Sequence, residues 1–247
     1  MDLQEFFTIN SEIAIAFSGG VDSSYLLYAA KRYAKRVTAY YAKSAFQPKF
    51  EYEDALKLAK ELGADIRVIE LDVLCDDLVT ANPQNRCYYC KRRIFEAIKK
   101  AALSDGYTVL LDGTNASDDI NDRPGVKALE ELSVLSPLRI CGLTKDRIRE
   151  LSREAGLFTW DKPAYACLAT RIRTGEKITA EKLIATETAE TYLFSLGFTD
   201  FRVRMVGDTA KLQVPAGQLD MILSHREEIL SELKKYYSTV VLDLEVR

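Results

Sequence analysis

Short apolar runs alternate with longer segments of helical spacing through the first part of the chain. The apolar runs predict strands at Ile13–Phe17, Arg36–Tyr41, Ile66–Leu71 and Thr108–Leu111. The segments that follow them predict helices at Asp22–Ala34, Glu51–Leu62, Lys91–Leu103 and Thr144–Ala155. Alternation of this kind is typical of a parallel sheet with helices on both faces. This part of the chain is therefore predicted to be an α/β domain.

The pattern changes after Gly156, where a loop-like segment and a basic stretch interrupt the alternation. The remaining pattern predicts, in order, helix Thr179–Leu196, strands Phe201–Met205 and Ala210–Val214, helix Ala216–Lys235 and strand Thr239–Glu245. These elements indicate a small α+β domain. We therefore predict one domain over residues 1–165 and a smaller C-terminal domain over 166–247.

Composition and charge narrow the functional classes. Hydrophobic residues make up 47% of the chain and charged residues 29%, which is typical of a folded protein. No apolar stretch approaches the ~20 residues of a membrane-spanning helix, and the polar N-terminus is unlike a signal peptide, so we expect a cytoplasmic protein. The net charge of −3 disfavours a nucleic-acid partner but not a small anionic substrate. The single histidine, His225, is interpreted as a surface residue.

A glycine turn between the first strand and the first predicted helix carries the strongest functional signal. It reads Ser18-Gly19-Gly20-Val21-Asp22-Ser23. A glycine pair lets the backbone approach an anion closely, and the N–H groups at the start of a helix hold it. No G-x-x-x-x-G-K-[ST] motif is present, which disfavours Walker-type phosphoryl transfer.

The segment from Ile13 through Ser23 resembles the PP-loop ATP pyrophosphatase superfamily. The resemblance implies cleavage of Mg-ATP between the α- and β-phosphates and transfer of AMP to a substrate oxygen. It implies that the ATP site is formed by Ser18, Gly19, Gly20, Asp22, Ser23, Lys43, Gly113 and Thr114. The last three residues follow strands, at the edge where open α/β sheets bind ligands.

More of the chain is similar to the LarE family of ATP-dependent sulfur transferases. The segments that carry this likeness are 85–91 (NRCYYCK), 112–119 (DGTNASDD), 122–125 (DRPG), 136–138 (SPL), 142–145 (GLTK) and 160–168 (WDKPAYACL). The resemblance implies that the substrate is pyridinium-3,5-dicarboxylic acid mononucleotide, whose carboxylates receive sulfur to make the nickel-pincer cofactor of lactate racemase. It also implies that the C-terminal domain binds substrate and that the protein forms a homo-oligomer.

The cysteines suggest where the sulfur comes from. Cys167 matches the sulfur-supplying cysteine of the family, which in some members surrenders its own sulfur and becomes dehydroalanine. Cys87 and Cys90 form a C-x-x-C pair, so the version that we favour is a [4Fe–4S] cluster held by these two cysteines and Cys167, which the resemblance to cluster-dependent members of the family implies. The pair alone also fits a redox couple or half a zinc site. Cys75 and Cys141 match no motif and are interpreted as packing residues.

Basic residues beyond Cys167 fit an anionic substrate. Arg202 and Arg204 alternate on a predicted strand, so their side chains project from one face, and guanidinium groups suit carboxylates and phosphates. The family resemblance implies that the substrate is bound by Tyr88, Arg171, Glu190, Arg202 and Arg204. Asp118, Asp119 and Asp122 are candidates to assist Mg²⁺ or, equally, surface-turn residues.

The sequence also departs from the family pattern. Met205-Val206 stands where we expect histidines, and Leu212-Gln213 where we expect Ile-Glu.

Three other functions remain open: a PP-loop tRNA thiolase, an ammonia-using synthetase resembling those that make NAD or GMP, and a nucleotide-binding regulator without catalysis.

Overall fold

The computed structural model describes residues 1–119 and 124–245. The helices are α1 (Leu3–Ile9), α2 (Val21–Tyr33), α3 (Lys49–Glu61), α4 (Asp77–Thr80), α5 (Arg86–Ser104), α6 (Pro124–Glu131), α7 (Pro137–Ile140), α8 (Lys145–Glu154), α9 (Ala180–Ser195), α10 (Leu219–Ser224) and α11 (Arg226–Leu233). The strands are β1 (Glu12–Ala16), β2 (Arg36–Lys43), β3 (Asp65–Glu70), β4 (Val109–Leu111), β5 (Arg202–Val206), β6 (Thr209–Gln213) and β7 (Thr239–Leu242). Short 3₁₀ turns lie at Leu168–Arg171 and Ala216–Gln218.

The chain divides into two compact units. The first unit contains Met1–Asp72 and Asn85–Lys162, and the second contains Val73–Gln84 and Pro163–Arg247. Among the described residues, no helix combines the length and apolarity needed to cross a membrane.

The first unit is built on a four-stranded parallel sheet in the order β3-β2-β1-β4. Central strand β1 pairs with β2 and β4, with Ile13 opposite both Val37 and Val109. The prediction of a parallel α/β sheet is therefore confirmed. Because all four strands run the same way, the loops after β1, β2 and β4 open on the same edge of the sheet.

Alternating side chains of β1 serve two cores. Ile13 and Ile15 point into a cluster that includes Leu26 and Leu27 of α2. Ala14 points to the opposite face, where the cluster includes Phe95 of α5. These side chains are all buried, so helices cover both faces of the sheet as the pattern predicts.

Helix α5 begins earlier than the apolar spacing predicts. It starts at Arg86 instead of Lys91, so Cys87 and Cys90 lie on its first turns. Asn85 is its N-cap residue, and the carbonyl of Asn85 accepts a hydrogen bond from the Tyr88 N–H. The apolar pattern does not predict this start because residues 86–90 (RCYYC) carry no aliphatic residues at the three- and four-residue spacing of a helix.

The second unit contains a three-stranded sheet in the order β5-β6-β7, with β5–β6 antiparallel and β6–β7 parallel. Its core includes Leu193 of α9 together with Phe198 and Phe201. The predicted helix over Ala216–Lys235 is interrupted: a 3₁₀ turn and two helices occupy the range, and α10 and α11 meet at His225.

A segment inserted between β3 and α5 belongs to this second unit. Thr80 and Asn82 accept backbone hydrogen bonds from Ile178 and Gly175, respectively. The buried Asn82 side chain also donates to the carbonyl of Arg173 over 2.9 Å. These long-range bonds, which have no counterpart in local periodicity, make Val73–Gln84 part of the second unit.

Candidate active site

The glycine turn after β1 packs tightly against α3. Gly19 has a φ of +75°, a conformation that favours glycine. A Cβ built at Gly19 would lie 3.0 Å from Cβ and 3.2 Å from Cα of Ala55. The turn therefore requires glycine both for its backbone conformation and for its closeness to α3.

Serine hydroxyls close the turn on itself. The Ser18 and Ser23 Oγ atoms lie 3.0 Å apart, and Ser23 Oγ also accepts from the Ser18 N–H over 3.2 Å. Gly20 is the N-cap of α2, and no side chain caps the helix. The first-turn N–H groups of α2, including that of Asp22, therefore have no side-chain cap, which is the arrangement that binds anions.

The loop after β4 lies against the same helix start. A Cβ at Gly113 would lie 3.0 Å from the backbone nitrogen of Ser23, so a side chain there would displace α2. Next to it, the buried Asp112 carboxylate accepts hydrogen bonds from the hydroxyls of Thr114 and Ser136, the second over 2.6 Å. The structure thus brings Gly113 against the start of α2, and the assignment of Gly113 and Thr114 to the ATP site stays a prediction.

Asp22 is held by Asn115 in the loop after β4 and by Lys145 at the start of α8. Lys145 Nζ lies 2.6 Å from one of its carboxylate oxygens, and Asn115 Nδ2 donates to the other over 3.3 Å. Asn115 is buried, and its backbone N–H donates to Asp118. Lys145 lies within a matched segment, but no role could be predicted for it because no local pattern pairs positions 22 and 145.

The carboxylates considered for Mg²⁺ differ in setting. Asp118 closes a turn by accepting from the Asn115 N–H over 3.0 Å, and its carbonyl accepts from Arg139 over 2.8 Å. Asp119 is exposed. Asp122 lies outside the described residues. A role of Asp118 or Asp119 in binding Mg²⁺ stays a prediction.

Lys43 stands at the carboxyl end of β2. Its Nζ pairs with Glu70 over 3.1 Å and lies 5.2 Å from the centre of the Tyr52 ring. Ser44, the next residue, bonds through its backbone and hydroxyl to the Gln47 side chain. The strand end carrying Lys43 lies on the same sheet edge as the glycine turn, and a role of Lys43 in binding ATP stays a prediction.

A charged cluster that the sequence did not reveal lies at the start of α3. Lys162 pairs with Asp54 over 2.8 Å and with Glu51 over 3.2 Å. Burial raises the pKa of Glu51, while Lys162 opposes that shift and Asp54 adds to it. The nearby Tyr41 hydroxyl is buried and has no hydrogen-bond partner among the described residues, and burial raises its pKa. No motif could have predicted this pairing of positions 51 and 162.

The C-x-x-C pair lies on one face of α5, since residues three apart are neighbours on a helix. Cys87 is exposed and Cys90 half-buried. The buried Arg86 guanidinium donates to Cys87 Sγ over 3.8 Å. Tyr88 lies between the two cysteines and donates its hydroxyl to Glu131 over 2.8 Å.

Cys167 lies in the second unit, at the N-cap of the 3₁₀ turn Leu168–Arg171. It is half-buried, and its carbonyl accepts from the Thr170 N–H and hydroxyl. No disulfide is formed among the described residues. Within each unit, the described His, Cys, Asp and Glu side chains form no group of three suited to a metal ion.

The predicted substrate residues of the second unit differ strongly in exposure. Arg171 and Glu190 are each 1% exposed and form a bidentate ion pair over 2.9 and 3.1 Å. Arg202 is also buried and donates to the carbonyl of Ala164. Arg204 is exposed and donates to the Thr170 carbonyl over 3.0 Å. The assignment of these residues to the substrate stays a prediction, but only Arg204 among the four is exposed.

A carboxylate stands beside Gln213, the position where this chain lacks the glutamate expected from the family pattern. Gln213 accepts from the Arg204 guanidinium and donates through Nε2 to Asp243 over 2.8 Å. Lys211 also pairs with Asp243 over 2.7 Å. These two donors lower the pKa of Asp243. Asp243, which no motif singled out, follows β7 directly.

Comparison with known proteins places this site in a family. The asparagine synthase family model matches residues 10–119, which carry the glycine turn and the loop after β4. A pyridinium-3,5-bisthiocarboxylic acid mononucleotide synthase of Lactiplantibacillus plantarum is 33% identical, with 94% of this chain and 85% of that protein covered. The chain belongs to the LarE family of sulfur transferases.

Two further relatives extend over nearly the whole chain. An uncharacterized protein of Synechocystis sp. is 35% identical, with 99% of this chain and 92% of that protein covered. An uncharacterized protein of Methanocaldococcus jannaschii is 30% identical, with 99% and 94% covered. As a member of the LarE family, the chain is an ATP-dependent sulfurtransferase of the PP-loop class.

Proposed function

We propose that this enzyme adenylates a carboxylate of pyridinium-3,5-dicarboxylic acid mononucleotide and replaces the carboxylate oxygen by sulfur, in biosynthesis of the nickel-pincer cofactor of lactate racemase. The observation that carries the proposal is the 33% identity, over 94% of this chain, to the synthase of the corresponding bisthiocarboxylic acid. The glycine turn supplies the ATP-binding half of that chemistry.

The first step activates the carboxylate. A carboxylate oxygen attacks the α-phosphorus of ATP, the bond from that phosphorus to the bridging oxygen breaks, and pyrophosphate leaves with the electron pair. The α2 N–H groups and the Ser18 and Ser23 hydroxyls hold the leaving pyrophosphate. Lys145, already paired with Asp22, adds a positive charge beside the same turn. Asp118 and Asp119 are the candidate protein ligands for Mg²⁺, which would accompany the ATP phosphates and neutralise part of their charge.

The second step replaces AMP by sulfur. AMP is a good leaving group, so a soft sulfur nucleophile can attack the acyl carbon and expel it. We propose Cys167 as the catalytic cysteine. When Cys167 itself supplies sulfur, its Cβ–S bond breaks after the acyl–sulfur bond has formed. The Cα proton passes to a base, and dehydroalanine and the thiocarboxylate remain.

We propose a [4Fe–4S] cluster as the favoured source of the sulfur. The donor set fits it: Cys87 and Cys90 lie on one helix face beside the Arg86 guanidinium, and Cys167 provides a third thiol. These three cysteines would hold the cluster, which when bound supplies an exchangeable sulfide.

The anionic substrate is proposed to bind the second unit. Arg204 is exposed on β5, and its guanidinium suits a carboxylate or phosphate. Arg171 and Arg202 hydrogen-bond the segment that carries Cys167, and Glu190 pairs with Arg171. Tyr88 of α5 is the proposed aromatic contact to the pyridinium ring. We further propose that the protein assembles as a homo-oligomer, which light scattering on the purified protein tests.

The activity is tested with anaerobically purified protein, Mg-ATP and the pyridinium dicarboxylate. We expect pyrophosphate, AMP and a product in which one carboxylate oxygen has become sulfur, detected by mass spectrometry. Pyrophosphate release without any thiocarboxylate would contradict the sulfur-transfer step. Absence of pyrophosphate with this substrate would contradict the proposed acceptor.

The sulfur source is tested by measuring iron and acid-labile sulfide per chain in the same preparation. About four of each are expected if the cluster is present, with loss in Cys87→Ser, Cys90→Ser and Cys167→Ser. Cys75→Ser is the matched control, because Cys75 is exposed and lies in no matched segment. No iron, together with dehydroalanine at position 167 after turnover, would instead establish the self-sacrificing version.

A further inference from the structure

The segment that carries Cys167 is fastened by arginine side chains. We define the Cys167 loop as residues 164–170. Arg202 donates to the Ala164 carbonyl over 2.6 Å, and Arg171 donates to the Ala166 carbonyl over 2.9 Å. The backbone carbonyls of Ala164 and Ala166, two residues apart at the start of the loop, therefore each accept a hydrogen bond from a guanidinium group.

The far end of the loop is fastened in the same way. Arg171 donates to Thr170 Oγ1 over 2.9 Å, and Thr170 Oγ1 in turn donates to the Cys167 carbonyl over 2.8 Å. Arg204 donates to the Thr170 carbonyl over 3.0 Å. Arg171 thus bonds on both sides of Cys167 and reaches the cysteine's own carbonyl through one hydroxyl.

Glu190 holds Arg171 in place and has its acceptor capacity filled. One carboxylate oxygen accepts from Arg171 Nε and from the Val203 N–H, each over 2.9 Å. The other accepts from Arg171 Nη2 and from the Tyr165 hydroxyl. An ionised carboxylate offers about four acceptor sites, so these partners saturate Glu190.

The Tyr165 side chain joins the loop to the same network. Its ring lies 4.4 Å from the Arg171 guanidinium carbon and 5.0 Å from that of Arg202, within cation–π range of both. Burial and the charge of Glu190 raise the pKa of Tyr165, so its hydroxyl remains a donor. The ring thus packs the loop against the two arginines that bind its carbonyls.

We propose that Glu190, acting through Arg171, is a positioning residue that fixes the Cys167 loop for sulfur transfer, and that it makes no contact with substrate. The inference rests on the proposed role of Cys167. A buried guanidinium needs a paired charge to remain in place, and Arg171 with its Glu190 partner is shielded from solvent. Loss of the Glu190 charge therefore releases the bonds to Ala166 and Thr170.

The test compares Glu190→Gln, Tyr165→Phe and the control Glu227→Gln in the full-length protein prepared anaerobically. Glu227 is exposed on α11 in the same unit, so its substitution makes the same chemical change outside the network. Hydrogen–deuterium exchange of the 164–172 backbone is measured by mass spectrometry, and kcat and KM are measured with Mg-ATP and the pyridinium dicarboxylate.

We expect loop amides to exchange at least about fivefold faster in Glu190→Gln, since a glutamine NH₂ would face the Arg171 donors and at least one hydrogen bond is lost. Tyr165→Phe removes one bond and should give a smaller increase. In both variants kcat should fall while KM for the pyridinium substrate stays near that of the unchanged protein. Glu227→Gln should change neither quantity.

Unchanged loop exchange in a folded Glu190→Gln variant, with a raised KM for the pyridinium substrate, would overturn the proposal and make Glu190 a substrate contact. If Glu190→Gln does not fold, Tyr165→Phe decides by the same two readouts. Exchange is measured without turnover, so faster exchange in a protein that transfers no sulfur would uphold the positioning role and reject only the proposed function.

Discussion

Substitution of Gly19 by alanine tests whether the close packing of the glycine turn on α3 supports both stability and ATP binding. Alanine at a φ of +75° costs about 1 kcal/mol relative to glycine. The new Cβ would also lie 3.0 and 3.2 Å from the Cβ and Cα of Ala55, and neither atom can rotate away. Overpacking of this kind adds about 1–3 kcal/mol.

The expected loss for Gly19→Ala is therefore about 2–4 kcal/mol in the free energy of unfolding. Gly63→Ala is a matched control, because Gly63 also has a positive φ, of +55°, but its added Cβ meets no atom within 4 Å. The control should lose only the conformational part, about 1 kcal/mol. The difference between the two variants isolates the contact with Ala55.

Urea unfolding of both variants measures the two free energies, and titration calorimetry with Mg-ATP measures nucleotide affinity. We expect Gly19→Ala to bind ATP much more weakly, because relief of the contact moves the turn away from the position that presents the α2 N–H groups. Gly63→Ala should bind ATP normally. Equal destabilisation of the two variants, with unchanged ATP affinity, would refute the packing argument.

Three other perturbations follow from the same contacts. Lys145→Met removes the cation 2.6 Å from Asp22, so kcat/KM for ATP should fall by about tenfold or more in a pyrophosphate-release assay. Burial raises the pKa of Glu51 above 4.5. The contribution of Glu51 to the free energy of unfolding is therefore largest below pH 4.5 and is lost as the pH rises through the raised pKa. In Glu51→Gln, the free energy of unfolding measured in urea should change less with pH over this range. Phe201→Ala empties a fully buried position and should cost about 3–5 kcal/mol, seen as a lower Tm.

The first unit was predictable because its information is local. Strand β1, the glycine turn and α2 are contiguous, and their apolar spacing and glycine pair identify both the element types and the ligand-binding edge. The parallel sheet follows from the alternation of strands and helices. Lys162 could not be assigned to Glu51 in this way, since the pairing joins residues more than a hundred positions apart.

The second unit was less predictable because burial decides what its charged residues do. The family resemblance assigns Arg171 and Glu190 to the substrate, and the charge of Arg171 by itself suggests an anionic ligand. Packing encloses both side chains and pairs them with each other. The Val73–Gln84 segment is a second example, since its place in the second unit depends on backbone bonds to residues 175 and 178.

The departure from the family pattern at Gln213 has a structural answer in the pairing of β6 with β7. The parallel register sets Leu212 beside Leu242, so the next residues, Gln213 and Asp243, are neighbours and hydrogen-bonded. The carboxylate that is missing at position 213 therefore stands one strand away, and Gln213 links it to the Arg204 guanidinium. A strand pair that keeps both an arginine and a carboxylate retains the charges that a zwitterionic pyridinium nucleotide requires. The substitution moves the acidic group without removing it, and so does not argue against the proposed substrate.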